Sequence, residues 1–197
     1  GCQVAGVKKS LVDKSQYTGG NLTCRNFSGS LETFPLAAIN VDTAYFTGNL
    51  IACVIVDPVA DLIMGNVSGV GDVEWQKANE CAEGKQLTTK LQVCTAATSD
   101  VGDEAMIGDL HVCEGIMEGR KVSVLRDTGC TTAGVRRSLV GEHLLTGETM
   151  KCKTFGGRIE SFPVAVVSVC TPFFKGTLKC CVLDDPCVDL IVGNVPG

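Results

Sequence analysis

Aromatic side chains make up only 5% of the 197 residues, while valine, leucine, isoleucine, threonine and glycine are plentiful. That balance favours strands and turns over helices. Basic residues number 17 against 22 acidic ones, for a formal charge of −5. A chain with no basic stripe has little to hold a phosphate backbone, so nucleic acid is not an expected partner. The longest apolar run, "LIACVIV" at residues 50–56, falls far short of the roughly 20 residues that span a bilayer, so no membrane contact is expected. No charged-then-apolar leader is visible. Histidine occurs only at His111 and His143, and the twelve cysteines include no C-x-x-C pair. No metal or cofactor is therefore expected, and neither histidine is assigned a role. The cysteines are scattered singly apart from Cys180 and Cys181, and read as reduced, mostly buried thiols acting as small hydrophobes.

What the chain does have is an internal repeat. Sliding the sequence by 128 positions lays residues 1–69 on residues 129–197 without a gap. "GCQVAGVKKSLV" meets "GCTTAGVRRSLV", "ETFPLAAINV" meets "ESFPVAVVSV", and "DPVADLIMGNVSG" meets "DPCVDLIVGNVPG". Close to half of the aligned positions are identical, far beyond chance, so the two copies should share a fold. Alternation and apolar runs predict strands at residues 120–126, 162–169 and 176–183, and a short apolar run at 190–192 stopped by Gly193. "CKTFGGRIESF" predicts a hairpin with glycines at its tip. Only "WQKANECAEGKQLTTKLQ", around Trp75, hints at helical periodicity. The expected organisation is all-β, with copy one at residues 1–70, an acidic linker at 71–107 and copy two at 108–197.

Residues 127–129 read Asp-Thr-Gly at the end of a predicted strand. Taken alone, the tripeptide also suits an ordinary turn, with glycine for unusual backbone angles and aspartate for nearby amides. Its context is more telling. A strand, the Asp-Thr-Gly, a glycine hairpin about 27 residues on and a final "LIVGN" occur in one order. With "VSVLRDTGCTTAGVRRSLV", "LTGE" and "FPVAVVSVCTPFFKGT", that order resembles the retropepsins, in particular the protease region of gypsy-like long-terminal-repeat retroelement polyproteins.

The resemblance implies a closed β-barrel per copy and an aspartic endopeptidase that processes a Gag-Pol polyprotein inside an intracellular, cytoplasmic retroelement particle. It implies a polypeptide substrate and a two-fold arrangement, either between the two copies or between two chains. Asp127 matches the catalytic aspartate, Thr128 the residue whose hydroxyl braces paired loops, and Gly129 the residue that lets them approach. Gly156 and Gly157 match the tip of the substrate flap, with Ser28 and Gly29 in copy one. Leu190, Ile191, Val192 and Gly193 match the strand that supports the active loop. Cys130 falls where a small residue is usual, and no base beside it marks it as a nucleophile.

Gly1 aligns with Gly129, so a counterpart of Asp127 and Thr128 would precede Gly1; the expectation is a fragment of a longer protein, with one catalytic aspartate in the sequence given. A degenerate pair that binds or dimerises is the alternative, favoured in copy one by "FSGSLE" in place of "FGGRIE". A β-rich binding module unrelated to proteases is a further one. Asp185 and Asp189, with Asp57 and Asp61, are expected to serve turns rather than chemistry. "VRRSL" and "VKKSL" are expected to place charge on exposed strand edges.

Overall fold

A computed structural model describes residues 4–65 and 112–196. Within them the protein is all-β, joined by short 3-10 turns. Copy one holds β1 (Ala5–Lys8), β2 (Tyr17–Arg25), β3 (Leu31–Asp42), β4 (Thr47–Ile55) and β5 (Leu62–Ile63). Copy two holds β6 (Val112–Met117), β7 (Arg120–Arg126), β8 (Ala133–Arg136), β9 (Leu145–Lys153), β10 (Ile159–Cys170), β11 (Lys175–Leu183) and β12 (Leu190–Val192). The start of every copy-one strand, moved by 128, is the start of a copy-two strand. The repeat in sequence is thus a repeat in structure. The possible helix around Trp75 lies outside the described residues, as does the expected linker.

Copy one forms a sheet of order β2-β3-β4-β1-β5. In copy two the ladders run from β10 through β11, β8, β12, β7 and β6 and return to β10. The return goes with a register irregularity in β10. Pro163 has no N–H to give to the ladder, and the β9–β10 register shifts between Pro163 and Ala165. The first half of β10 therefore pairs with β9, and its last residues pair with β6. Pro35 plays the same part in β3, where the register with β2 shifts between Tyr17 and Asn21.

Val124, Val135, Val164, Val167, Leu190 and Val192 are fully buried inside copy two. Val7, Ala37, Ile39, Ala52 and Val54 form the buried core of copy one. Nine cysteines lie among the described residues, and Cys53, Cys180 and Cys181 are buried outright. No helix of the described residues is long and apolar enough to cross a membrane.

The charges of "VRRSL" correct an expectation. β8 is not an edge, because it lies between β11 and β12. Arg136 ends it half-buried, donating from Nε to Asp189 Oδ1 at 3.1 Å and from Nη2 to the Pro186 carbonyl at 2.9 Å. Only Arg137 turns to solvent, on a 3-10 turn. In copy one, Lys8 reaches Asp61 at 3.1 Å in the equivalent place.

Candidate active site

Asp127 follows the last residue of β7, and its position is set by the strand beside it. β12 runs parallel to β7, and the Asp127 amide donates to the Val192 carbonyl at 2.9 Å. Thr128 and Gly129 then turn the chain, so that the Gly129 amide donates to Asp127 Oδ1 at 3.0 Å. Arg126 donates to the Val192 carbonyl at 3.0 Å and to Asn194 Oδ1 at 2.6 Å. Asn194 Nδ2 in turn donates to the Thr128 carbonyl at 2.7 Å, and the Asn194 amide to the Cys130 carbonyl at 2.6 Å. Gly193 passes so close to the Cys130 and Thr132 carbonyls that no Cβ would fit. Leu190 to Gly193 thus supports the loop from below, and the half-exposed carboxylate is held on a braced apex. Arg126 and Asn194 are braces that the sequence reading missed. Thr128 and Gly129 are exposed, and among the described residues the Thr128 hydroxyl braces nothing. Burial pushes the neighbouring Cys130 thiol up to about 11, so it is no ready nucleophile.

The two glycine-tipped hairpins are both formed, and they cross between copies. In copy two the Thr154 amide donates to the Arg158 carbonyl at 2.8 Å, and Gly157 adopts φ +87°. In copy one the Asn26 amide donates to the Ser30 carbonyl at 2.8 Å, and Gly29 adopts φ +95°. Ser28 does not weaken that turn. Its φ is not positive, and its amide and hydroxyl both donate to Asn26 Oδ1, at 3.0 and 2.7 Å.

Gly29 packs against the Asp185 carbonyl of copy two, and Gly157 packs against the Asp57 carbonyl of copy one. Arg25 donates to Asp185 Oδ2 at 2.8 Å, and Lys153 to Asp57 Oδ2 at 2.8 Å. Phe27 stands edge-on to Phe162, with centroids 6.1 Å apart, and Phe155 edge-on to Phe34 at 5.6 Å. A Cβ on Gly134 would come within 2.7 Å of Phe27 Cζ, and one on Gly6 within 2.8 Å of Phe155 Cζ. Each contact is the other moved by 128 residues. Such reciprocity is what a two-fold, self-complementary interface produces.

The other acidic candidates have structural partners. Burial pushes the Asp189 carboxyl up, but bonds from the Ser123 amide and hydroxyl and from Arg136 outweigh it and hold the group below its ordinary value. The hydrogen bond and charge of Lys153 hold Asp57 below the usual range. Among the described residues no three His, Cys, Asp or Glu side chains converge to hold a metal ion. A cleft of about 370 Å³ lined by Glu118, Arg120 and residues 138–141, 143 and 144 contains none of the predicted site residues. His111 lies outside the described residues. No family model, no curated protein and no solved structure matches the chain.

Proposed function

We propose that this chain is an aspartic endopeptidase of the retropepsin kind, with its cleft between the two copies. The observation that carries the reading is the braced Asp127 apex in a molecule whose glycine hairpins cross reciprocally about a two-fold relation. The ladder that leaves β10 and returns to it supports a closed barrel in copy two. A polypeptide, processed from a larger precursor, is the substrate class.

The chemistry needs two carboxylates. Held a few ångström apart they cannot both ionise, so they share one proton. The charged one takes a proton from the attacking water, and the protonated one donates to the scissile carbonyl oxygen. Their titrations belong to the pair. Asp127 supplies one carboxylate. Its twin would come from Asp127 of a second molecule, or from an aspartate joined ahead of Gly1, where the 128-residue register puts the counterpart.

The test compares the chain as given, the chain with Asp-Thr joined ahead of Gly1, and Asp127→Asn in each. Cleavage of an unstructured polypeptide is expected to rise with the added pair and to fall by on the order of 10²–10⁴ in Asp127→Asn. Circular dichroism should be unchanged, since the substitution is nearly isosteric. Cleavage that persists in Asp127→Asn discards the assignment. A second reading, an idle pairing unit, rests on the hairpin contacts that join the copies without involving Asp127; it would stand if neither version cleaves.

A further inference from the structure

Three cysteine positions recur in both copies at the 128-residue offset, namely Cys2 with Cys130, Cys24 with Cys152, and Cys53 with Cys181. Cys170, Cys180 and Cys187 face Asp42, Ala52 and Val59 in that register, so cysteine is not generally interchangeable between copies. Two of the recurring positions meet in space. Cys152 lies on β9, the outer arm of the copy-two hairpin, and Cys181 on β11; their sulfurs are 3.6 Å apart. The equivalent Cys24 on β2 and Cys53 on β4 also share a thiol hydrogen bond.

The placement follows from the middle strand that both flank. Cys152 is opposite Glu160 and Cys181 is opposite Val164, both on β10. Residues four apart on one strand point to the same face, and over that face of β10 the two sulfurs meet. Small hydrophobic contacts would explain one pair of sulfurs in contact. They do not explain why cysteine holds both positions in both copies, where alanine or valine would fill the space. Among the described residues no third ligand converges on either pair, so zinc has no support.

We propose that Cys24–Cys53 and Cys152–Cys181 are two equivalent dithiol sites that close to disulfides by exchange with a small-molecule disulfide such as oxidised glutathione, pinning each crossing hairpin to the strand below it. The partly exposed Cys24 or Cys152 meets the oxidant first. Its thiol loses a proton and its sulfur attacks one sulfur of glutathione disulfide. That bond breaks, and one glutathione leaves as thiolate and takes up a proton. The buried partner, Cys53 or Cys181, then attacks the mixed disulfide and expels the second glutathione as thiol. Two protein thiols are oxidised to one disulfide, and one glutathione disulfide is reduced to two thiols. To close, the sulfurs move from contact to the roughly 2.05 Å of a disulfide bond, with the two Cα atoms within about 7 Å of each other. The bonding of Cys24 to Cys53 holds the Cys24 thiol below its ordinary value, which favours the attacking form. Cys181 is pushed up to about 12 by burial and by Cys152 beside it, so its attack on the mixed disulfide is the slow step.

The test uses the whole chain. It is equilibrated with oxidised glutathione under native conditions, remaining thiols are alkylated, and peptic peptides are sequenced by mass spectrometry. Two cross-linked peptides are expected, joining Cys24 to Cys53 and Cys152 to Cys181. Cys24→Ser and Cys152→Ser, at the less buried members, should each delete one cross-link and spare the other. Amide exchange in residues 150–160 should slow by about tenfold or more on oxidation and recover with dithiothreitol. Stable glutathione adducts without closure, or bonds from Cys130 to either partner, would overturn the proposal. The consequence for cleavage rests on the protease reading: oxidation should abolish it by holding the flaps shut. Cross-links in a chain that cleaves neither as given nor with Asp-Thr joined ahead of Gly1, even when reduced, would refute the protease reading and leave this one intact.

Discussion

At the residue scale, glycine and cysteine carry more of the design than their size suggests. Gly29 and Gly157 look interchangeable with Gly156 in the sequence, but only the first two adopt a positive φ and press on a carbonyl of the opposite copy. Position 28 accepts serine because its backbone angle is ordinary and Asn26 supplies the turn bonds. The change from glycine to serine there is thus no sign of decay. Gly157→Ala should cost about 1–2 kcal/mol from the left-handed backbone alone. It should cost more from the Cβ that would then meet the Asp57 carbonyl. Ser28→Gly, where neither term applies, should cost under about 1 kcal/mol. Thermal denaturation of the two variants side by side checks this; a Gly157→Ala loss no larger than the backbone cost alone would mean that the contact across the copies contributes nothing.

At the scale of strands, β12 is only three residues long, and its place between β7 and β8 is secured by a side chain rather than by length. Asp189, just ahead of it, accepts from the Ser123 amide on β7 and from Arg136 Nε on β8. The active loop hangs on β12 through the Asp127 amide and Arg126, so a displaced β12 would move Asp127. Asp189→Asn should therefore destabilise the fold by about 1–3 kcal/mol, the range for hydrogen bonds to a charged group. The sign with pH follows from the depressed Asp189 carboxyl. Its contribution is complete above the unfolded value near 3.9 and is lost as pH falls through the lower folded value. Stability measured between neutral pH and about pH 3 should fall more steeply in the parent chain than in Asp189→Asn. Parallel curves would show that Asp189 is not the group responsible. Much of this level was legible in the sequence. Alternation gave β7, β10 and β11, and the 128-residue register placed their counterparts, because these are local patterns along one strand. Arg126, Asn194 and Asp189 were not legible, because each reaches across about 66 residues to a strand that is its neighbour only after folding. The doubled Arg25/Lys153 and Asp57/Asp185 in the repeat were a usable signal, since an opposite charge kept in both copies marks a contact made twice.

At the scale of the molecule, the question is what holds one copy on the other. The Arg25–Asp185 and Lys153–Asp57 pairs lie on carboxylates more than two-thirds exposed, where water and salt leave little net attraction. The rings are a different matter. Phe27 joins the apolar cluster of Leu125, Phe162, Cys181 and Leu183 in copy two, and Phe155 joins Leu22, Phe34, Cys53 and Ile55 in copy one. A half-buried phenylalanine loses less than a core one on truncation to alanine, so about 2–3 kcal/mol each is a fair scale. Two such rings outweigh both ion pairs. The copies should then stay together even when the chain between them is severed. With a specific protease site inserted between residues 66 and 111 and cut, the two pieces should co-elute in gel filtration at neutral pH. Salt at 1 M, where screening acts within about 3 Å, should barely alter that. Phe27→Ala with Phe155→Ala should release the pieces, whereas Lys153→Ala with Arg25→Ala should only weaken their association. The reverse order, with salt or the charge variants releasing the pieces and the ring variants not, would show that charge rather than exchanged rings binds the halves.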